Sequence, residues 1–437
     1  MRPNAGSTLE AWTEYIQSIH FRSIDLSLDR PRRVLHRLGL QQPNTVITVG
    51  GTNGKGTTVR LLETAYRSAG YSVGCYTSPH LISYCERLAI NGVDVESQKL
   101  CNAFAAVDAA RCDIPLTYFE FGTLAAFVVL AEEKIQVAIL EVGMGGRLDA
   151  VNLLNADLAV ITSVDLDHQA WLGTTRERIG KEKAGVFRYC SLAVVADPLP
   201  PHSVLEQVQR LKCHALVNGR DYVLRCEQNG QWTWALTGQG ARITTASGSR
   251  TLPETWSLGV CSAVRAANVG GALACVYQMI HRLPVSQGDI RSMFSAALSG
   301  RRERRPGPVP VWLDVAHNPH AVRALSEELR SESVSGTTRA VFAMLGDKDI
   351  ESCVSLMSEV IDEWHLCELA DERALTIPAL RRRLTADCRV VDPGLLSATD
   401  VFCKVVSESV PGDRVVVFGS FYLVGDILKA LKNGALS

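Results

Sequence analysis

Short β-branched runs ending in glycine or hydroxyl residues alternate along this chain with segments whose apolar residues fall three and four apart. The run TVITVG (45–50) empties into GTNGKGTT (51–58). After Lys55, the spacing of Val59, Leu61, Leu62, Ala65 and Tyr66 ahead of Gly70 predicts a helix that stops at a glycine. Upstream, residues 8–40 predict two helices joined by SIDLSLDR. Leu9, Trp12, Tyr15, Ile16 and Ile19 mark one face of the first, and Val34, Leu35 and Leu38 belong to the second.

Downstream, strands are predicted at 73–76, 137–142 and 158–164, and Asn91-Gly92 signals a hairpin. Residues 96–133 read as two helices around DIPLTYFEFGT, the second almost wholly apolar and therefore buried. Residues 191–258 predict a strand, a helix over 203–211 and a β-rich section with Trp232 and Trp234; a helix follows over 263–283. Proline, glycine and the basic run in SGRRERRPGPVPV mark a boundary near 297, with RRERR expected as a solvated or phosphate-facing linker. Beyond it, the strands VPVWLDVA, RAVFAML, WHLCEL, CRVVD and RVVVFGS alternate with helices from about Pro319, Ile350, Ile377, Gly394 and Tyr422. The pattern gives two α/β domains with mostly parallel sheets, 1–297 and 298–437.

Composition narrows the class. With 437 residues, 46% hydrophobic, 21% charged and a formal net charge of -1, the chain is globular and has no electrostatic case for binding nucleic acid or an anionic membrane. The N-terminus lacks a signal-peptide core and no stretch reaches the length of a membrane span, so a cytoplasmic protein is expected. Thirteen scattered cysteines without a C-x-x-C pair argue for reduced thiols and against a structural zinc site.

Candidate chemistry gathers at strand ends. Gly51, Gly54 and Gly56 let backbone N–H groups converge at a helix N-terminus, where the dipole favours an anion. Lys55 adds a charge for terminal phosphates, and Thr57 or Thr58 a hydroxyl for Mg²⁺. The spacing departs from the standard G-x-x-x-x-G-K-[ST] loop, and a ligand-free βα turn is the alternative. Glu141, acidic at the end of a buried strand, is a Mg²⁺ candidate because its burial needs a cation or water. Ser78, also at a strand end, is a ligand or merely a turn residue, and His168, at another, is a third metal-site member or a structural or surface histidine. The cluster at Lys181, Glu182 and Lys183 reads on composition as a solvated charged turn, Asp25 as a turn former, and the Thr117–Glu120 stretch as packing whose glutamate needs a partner.

Together these motifs resemble the bacterial folylpolyglutamate synthase and dihydrofolate synthase family, related to the Mur peptidoglycan ligases. The marks are GTNGKGTT (51–58), TSPHL (77–81), LTYFEFGT (116–123), LEVGMGGRLDAVN (140–152), LDH (166–168), EKAG (182–185), GR (300–301), DVAHNP (314–319) and GSF (419–421). The resemblance implies an α/β fold with an N-terminal P-loop ATPase domain, like the Mur ligase central domain, and a smaller Rossmann-like C-terminal domain. It assigns Thr52, Asn53, Gly54, Lys55, Gly56, Thr57, Asn268, Arg301 and Asp314 to ATP, and Ser78, Glu141 and His168 to Mg²⁺. Lys183 matches a lysine carbamylated in the family, which serves a second Mg²⁺; potassium is a further cation the resemblance allows. Lys55, Lys183 and His317 are the catalytic candidates, His317 through a motif associated with an inter-domain active site. Asp25, Leu26, Thr117, Tyr118, Phe119, Glu120, Leu148, Asp149 and Ala150 match a dihydropteroate pocket.

The implied activity is ATP-dependent addition of L-glutamate to dihydropteroate and to reduced folates, by a monomer. Rivals are a folylpolyglutamate synthase without the dihydropteroate activity, a Mur-type ligase acting on a UDP-sugar peptide, and a nucleotide-dependent switch. Tyr422, Ser299 and Ala170 depart from the family pattern, where histidine, proline and a polar residue are usual.

Overall fold

The computed structural model describes residues 2–4, 6–20, 25–237, 255–260, 263–295, 298–392, 394 and 397–434. Ser23 and Ile24 of the predicted helix connection, residues 238–254 of the predicted β-rich section, and the predicted boundary at 297 lie outside them. The chain divides into two compact units. One comprises Met1–Ser78, Tyr84–Asp165 and Leu172–Ala297; the other Pro79–Ser83, Leu166–Trp171 and Leu298–Ser437.

The first unit is built on an eight-stranded sheet. Across it run Val93–Asp94, Leu88–Ile90, Val73–Tyr76, Val137–Glu141, Thr45–Gly50, Leu158–Ile161, Leu192–Val195 and His214–Val217. The last six are parallel, and Leu88–Ile90 with Val93–Asp94 forms the predicted antiparallel hairpin, turning at Asn91 and Gly92 with φ of 50° and 77°. Both faces are covered, which is why Thr45–Gly50 is buried at every position. Ile47, Val49, Val137 and Ile139 meet the helices Lys55–Ser68 and Ala263–Met279. Val46, Ala138 and Leu140 meet the helices Leu9–Ile19, Ser97–Arg111 and Tyr118–Glu132. A separate antiparallel sheet, Tyr222–Cys226, Gln231–Leu236 and Thr255–Val260, packs Tyr222 and Trp234 into the first of these cores.

The second unit holds a six-stranded sheet ordered Glu303–Arg305, Val311–Asp314, Arg414–Phe418, Thr338–Phe342, Glu363–Leu366 and Val390–Val391. All pairs are parallel except the first. Helices Pro319–Ser331 and Ile350–Met357 cover one face through Val322, Leu325 and Val354. Ala398–Glu408 and Phe421–Lys432 cover the other through Val401, Phe402 and Leu423.

Several boundaries differ from expectation. The strand predicted to Val164 stops at Ile161, because Thr162, Ser163 and Asp165 turn hydrogen bonds to the glycine-rich loop and the Val164 N–H donates to Asp197. The RRERR run is no linker: Glu303–Arg305 is an edge strand, antiparallel to Val311–Asp314. Three of its arginines are paired within the unit, Arg302 with Glu328, Arg304 with Glu332 and Arg305 with Glu303. The predicted 263–283 helix ends at Met279, and the second N-terminal helix starts at Asp29, absorbing the end of the presumed connection. No helix among the described residues is long and apolar enough to cross a membrane, and their cysteines are all free.

Candidate active site

The glycine-rich loop follows Thr45–Gly50 and leads into Lys55–Ser68, as its sequence requires. Gly51 and Gly54 have φ of 144° and 83°, open only to glycine at low cost. A Cβ at Gly51 would collide with Thr162 Oγ1, and one at Gly54 with Asn268 Oδ1. Asn268, on the helix Ala263–Met279, is therefore held against the turn that starts the Lys55 helix.

A second loop braces the first. The Thr52 N–H donates to Ser163 O at 2.7 Å, Thr162 Oγ1 to Asn53 O at 2.6 Å, and the Asp165 N–H to Thr52 Oγ1 at 3.0 Å. Lys55 Nζ lies 3.2 Å from the carbonyls of Gly51 and Thr52. Lys183 Nζ donates to the same Gly51 carbonyl at 2.9 Å. Lys183 ends the helix Arg176–Lys183 and is 5% exposed, so the charged cluster is not the solvated turn its composition suggests. The stretch GGRLDAVN is fastened to it: the Arg147 N–H donates to Glu182 O at 2.9 Å, and Asn152 Nδ2 reaches Gly185 O at 3.1 Å.

Ser78 and Glu141 follow from adjacent parallel strands, and the Ser78 N–H donates to Glu141 Oε2 at 3.2 Å. Glu141 is 2% exposed. A serine hydroxyl and a buried carboxylate at a parallel-sheet edge are the hard oxygen donors that Mg²⁺ takes, so these two residues fit that ion. Among the described residues no group of three or more histidine, cysteine, aspartate and glutamate side chains is close enough to hold a metal by itself. The third expected ligand, His168, belongs to the second unit; it is non-glycine with φ of 51°, a conformation that costs of order 1 kcal/mol.

The pterin-pocket candidates centre on the start of Tyr118–Glu132. Thr117 and Glu120 form a capping box: the Glu120 N–H donates to Thr117 Oγ1, and the Thr117 N–H to Glu120 Oε2 at 2.8 Å. The partner that the buried Glu120 needs is Arg30, at 2.9 Å, whose other nitrogen holds Asp25, also at 2.9 Å. Burial raises the Glu120 carboxyl even against the Thr117 N–H and the Arg30 charge. Arg30 was missed by sequence reasoning. Its signal is a cation in the first turn of a helix, which the helix dipole disfavours unless an anion faces it.

Tyr118 and Phe119 are half-buried. Tyr118 packs edge-on against Tyr84, and Phe119 lies over Gly143 so closely that a Cβ there would meet its Cζ at 2.5 Å. Leu148 is half-buried and Ala150 buried. Asp149 caps the short turn Ala150–Leu153 by accepting from the N–H groups of Met144 and Val151, each at 2.9 Å. Burial pushes its carboxyl up to about 6 against the pull of those N–H groups, that of Gly143 and the Lys55 charge.

In the second unit, Asp314 ends the strand Val311–Asp314 and accepts from the N–H groups of Arg302 at 2.9 Å and Ala316 at 2.7 Å. The Arg301 guanidinium stands 5.6 Å from the Phe421 ring centroid, and the His317 ring packs on the same phenyl, also at 5.6 Å. His317 and His168 share a partner that sequence reasoning noted only as a neighbour, Asp167. Burial raises this carboxylate, but His317, His168 and Lys348 outweigh it and hold it well below the usual carboxylate range. Tyr422, one of the departures from the family pattern, is 44% exposed and its hydroxyl is 3.3 Å from Arg373 Nη2.

Residues 49–222 match the Mur ligase middle domain, and residues 300–421 the Mur ligase, glutamate ligase domain. The chain is 37% identical over 432 residues to the dihydrofolate synthase/folylpolyglutamate synthase of Escherichia coli K12, covering 98% of this chain and 97% of that one. A second, from Haemophilus influenzae, is 37% identical over 446 residues, with 98% of each chain covered. Among solved structures, E. coli FolC in complex with DHPP and ADP matches with a TM-score of 0.90 at 35% identity, over 99% of this chain and 100% of that one. A bifunctional folylpolyglutamate synthase/dihydrofolate synthase with Mn, AMPPNP and L-glutamate bound gives 0.87 at 37% identity, with the same coverage. The chain therefore belongs to the dihydrofolate synthase/folylpolyglutamate synthase family of ATP-dependent glutamate ligases.

Proposed function

We propose that this chain joins L-glutamate both to dihydropteroate, forming dihydrofolate, and to reduced folates, in each case through an acyl phosphate. A carboxylate oxygen of the acceptor attacks the γ-phosphorus of ATP, and ADP leaves. The glutamate nitrogen then attacks the acyl carbon, inorganic phosphate leaves with the electrons of the broken C–O bond, and the nitrogen gives up a proton.

The convergence of Lys55 and Lys183 on the Gly51 carbonyl, at the head of the glycine-rich loop, carries this reading. The loop N–H groups from Thr52 to Thr57 hold the ATP phosphates, and Lys55 neutralises charge developing on the transferred group. Asn268, Arg301 and Asp314 hold the rest of the nucleotide. Ser78, Glu141 and His168 hold Mg²⁺, which supplies charge neutralisation at the phosphates when bound. Lys183, converted to a carbamate, holds a second Mg²⁺, with potassium as an accessory cation. Asp25, Leu26, Thr117 to Glu120 and Leu148 to Ala150 receive the pterin substrate. The protein works as a cytoplasmic monomer.

ADP release tests the reading directly. With Mg·ATP and L-glutamate, dihydropteroate and tetrahydrofolate each give ADP in proportion to amide product, and a UDP-linked muramoyl peptide gives none. Release with tetrahydrofolate alone would leave only the polyglutamylating activity, the name carried by a relative from Lacticaseibacillus casei that is 28% identical.

A further inference from the structure

Within the first unit, the stretch GGRLDAVN and the segment EKAGVFR lie backbone against backbone. A Cβ at Gly146 would stand 2.7 Å from the Lys183 carbonyl, and one at Gly185 2.6 Å from Arg147 Cα. The Arg147 N–H donates to Glu182 O across this contact. The carbonyls beyond it need donors from side chains.

Arg188 supplies them. Its Nε donates to Asn155 Oδ1 at 2.7 Å, Nη2 to Asn152 Oδ1 at 2.8 Å and to Asn152 O at 3.0 Å, and Nη1 to Val186 O at 3.1 Å. The Gly185 and Phe187 carbonyls each lie 3.3 Å from Nη1. Every one of these acceptors is a neutral carbonyl or amide oxygen. Burial alone acts on the guanidinium, drawing its pKa below the ordinary value, and no carboxylate among the described residues offsets that cost. A cation so placed is held by dipoles aimed at it from two segments, which a planar fork of five donors can span and a lysine ammonium cannot.

The fork also decides how Asn152 stands. A guanidinium only donates, so Asn152 turns Oδ1 toward it and Nδ2 away, to the carbonyls of Arg147 at 3.2 Å and Gly185 at 3.1 Å. The Asn152 N–H donates to Asp149 O at 2.9 Å, closing the turn that Asp149 caps. Arg188 therefore orients an amide whose own bonds reach Asp149 on one side and, through Gly185, the end of the Lys183 helix on the other.

We propose that Arg188 is a positioning residue which, by ordering Asn152, holds the turn at 148–150 in place beside the segment carrying Lys183 and so sets the affinity for the pterin-bearing acceptor. The proposal rests on the ligase reading above, which gives that turn to the pterin. Arg188 acts through the turn, because its own donors are spent on protein oxygens. The sequence marks EKAG and leaves the arginine three residues further on unmarked.

The test uses the full chain with Mg·ATP and L-glutamate, varying dihydropteroate and ATP in turn and reading ADP release. Arg188→Ala raises KM for dihydropteroate about 10-fold or more and leaves KM for ATP within about twofold. Arg188→Lys keeps the charge but loses the fork, and its KM for dihydropteroate stays within about threefold of that of Arg188→Ala. Added guanidinium at millimolar concentration restores the KM of Arg188→Ala saturably, whereas ammonium at equal ionic strength does not. Asn152→Ala shows the same split between the two constants. Combining it with Arg188→Ala is no worse than the weaker single variant, since both act on one turn. If Arg188→Ala fails to fold, Arg188→Lys, which keeps a cation among the same carbonyls, carries the comparison.

An equal rise in both KM values, or an unchanged KM for dihydropteroate beside a lower urea midpoint, shows that the clamp serves only the fold and overturns the proposal. Full recovery in Arg188→Lys overturns it too. With ADP release from tetrahydrofolate alone, the same split is read on tetrahydrofolate. Absence of ADP release from the unsubstituted chain with every acceptor overturns the ligase reading and this proposal with it.

Discussion

The Lys183 ammonium donates to the Gly51 carbonyl across 132 residues of chain, and Lys55 donates to the same oxygen. Two cations on one carbonyl, one of them 5% exposed, repel each other. Conversion of Lys183 to a carbamate would replace that repulsion with attraction and add a carboxylate-like ligand. Lys183→Ala is therefore expected to lower kcat by about 10²- to 10³-fold, the cost of losing one preorganised charge. Acetate or propionate should restore part of it by standing in for the carbamate. ADP release with and without added short acids checks this, and full activity in the variant would remove Lys183 from the mechanism.

Glu141 gives a second prediction. Its carboxylate is buried at a strand end beside the Ser78 N–H, a costly place for a charge in a ligand-free protein. Glu141→Gln keeps the shape and removes the charge. The variant should be at least as stable to urea as the parent without Mg²⁺, yet need a Mg²⁺ concentration about 10-fold or more higher for half-maximal activity. Stripping divalent cations with a chelator should abolish activity in both, and Mg²⁺ or Mn²⁺ should restore it. A drop in stability without any change in Mg²⁺ requirement would show that Glu141 is a structural residue.

The glycine-rich loop, the parallel strands and the apolar Tyr118–Glu132 helix were legible because each is written in local periodicity. The partners of the charged residues were not. Arg30 meets Glu120 across 90 residues and Lys348 meets Asp167 across 181, distances over which periodicity carries no information. Two short excursions of the second unit, Pro79–Ser83 and Leu166–Trp171, were hidden for a related reason. TSPHL parts between Ser78 and Pro79, so a string that reads as a single motif contributes to both units, and Leu166–Trp171, LDH among it, belongs to the second unit although Asp165 and Leu172 on either side belong to the first. The strand from Leu158 was overestimated because Thr162 and Val164 have strand-like side chains. The hydrogen bonds of Thr162 to Gly50 O and Asn53 O, and the Val164 N–H bond to Asp197, took that segment out of the sheet.

Arg30 separates stability from substrate binding. Thr117→Ala removes one half of the capping box and is expected to cost about 1 kcal/mol, read as a lower urea midpoint. Arg30→Met leaves the cap intact but removes the guanidinium from both Asp25 and Glu120. If those carboxylates receive the pterin, KM for dihydropteroate should rise several-fold in Arg30→Met while KM for ATP stays unchanged. Equal changes in both constants would show that the ion-pair chain serves only the fold.

Asp149 makes stability depend on pH in a direction opposite to that of an ordinary paired carboxylate. Its carboxyl titrates at about 6 in the folded chain against an ordinary 3.8, because burial disfavours the anion more than the surrounding N–H groups and Lys55 favour it. Between those values the folded state holds a proton that the unfolded state has released, so raising the pH through this window favours unfolding. Below about 4 both states are protonated and the group costs nothing. Above about 6 both are ionised and the full penalty is present, on the order of 3 kcal/mol from the displacement alone. Asp149→Asn has no such titration. The difference in urea stability between parent and variant should therefore shift against the parent by that order from pH 4 to pH 7 in ligand-free protein. A difference that stays flat across the window would mean that the N–H groups of Met144 and Val151 hold Asp149 ionised throughout.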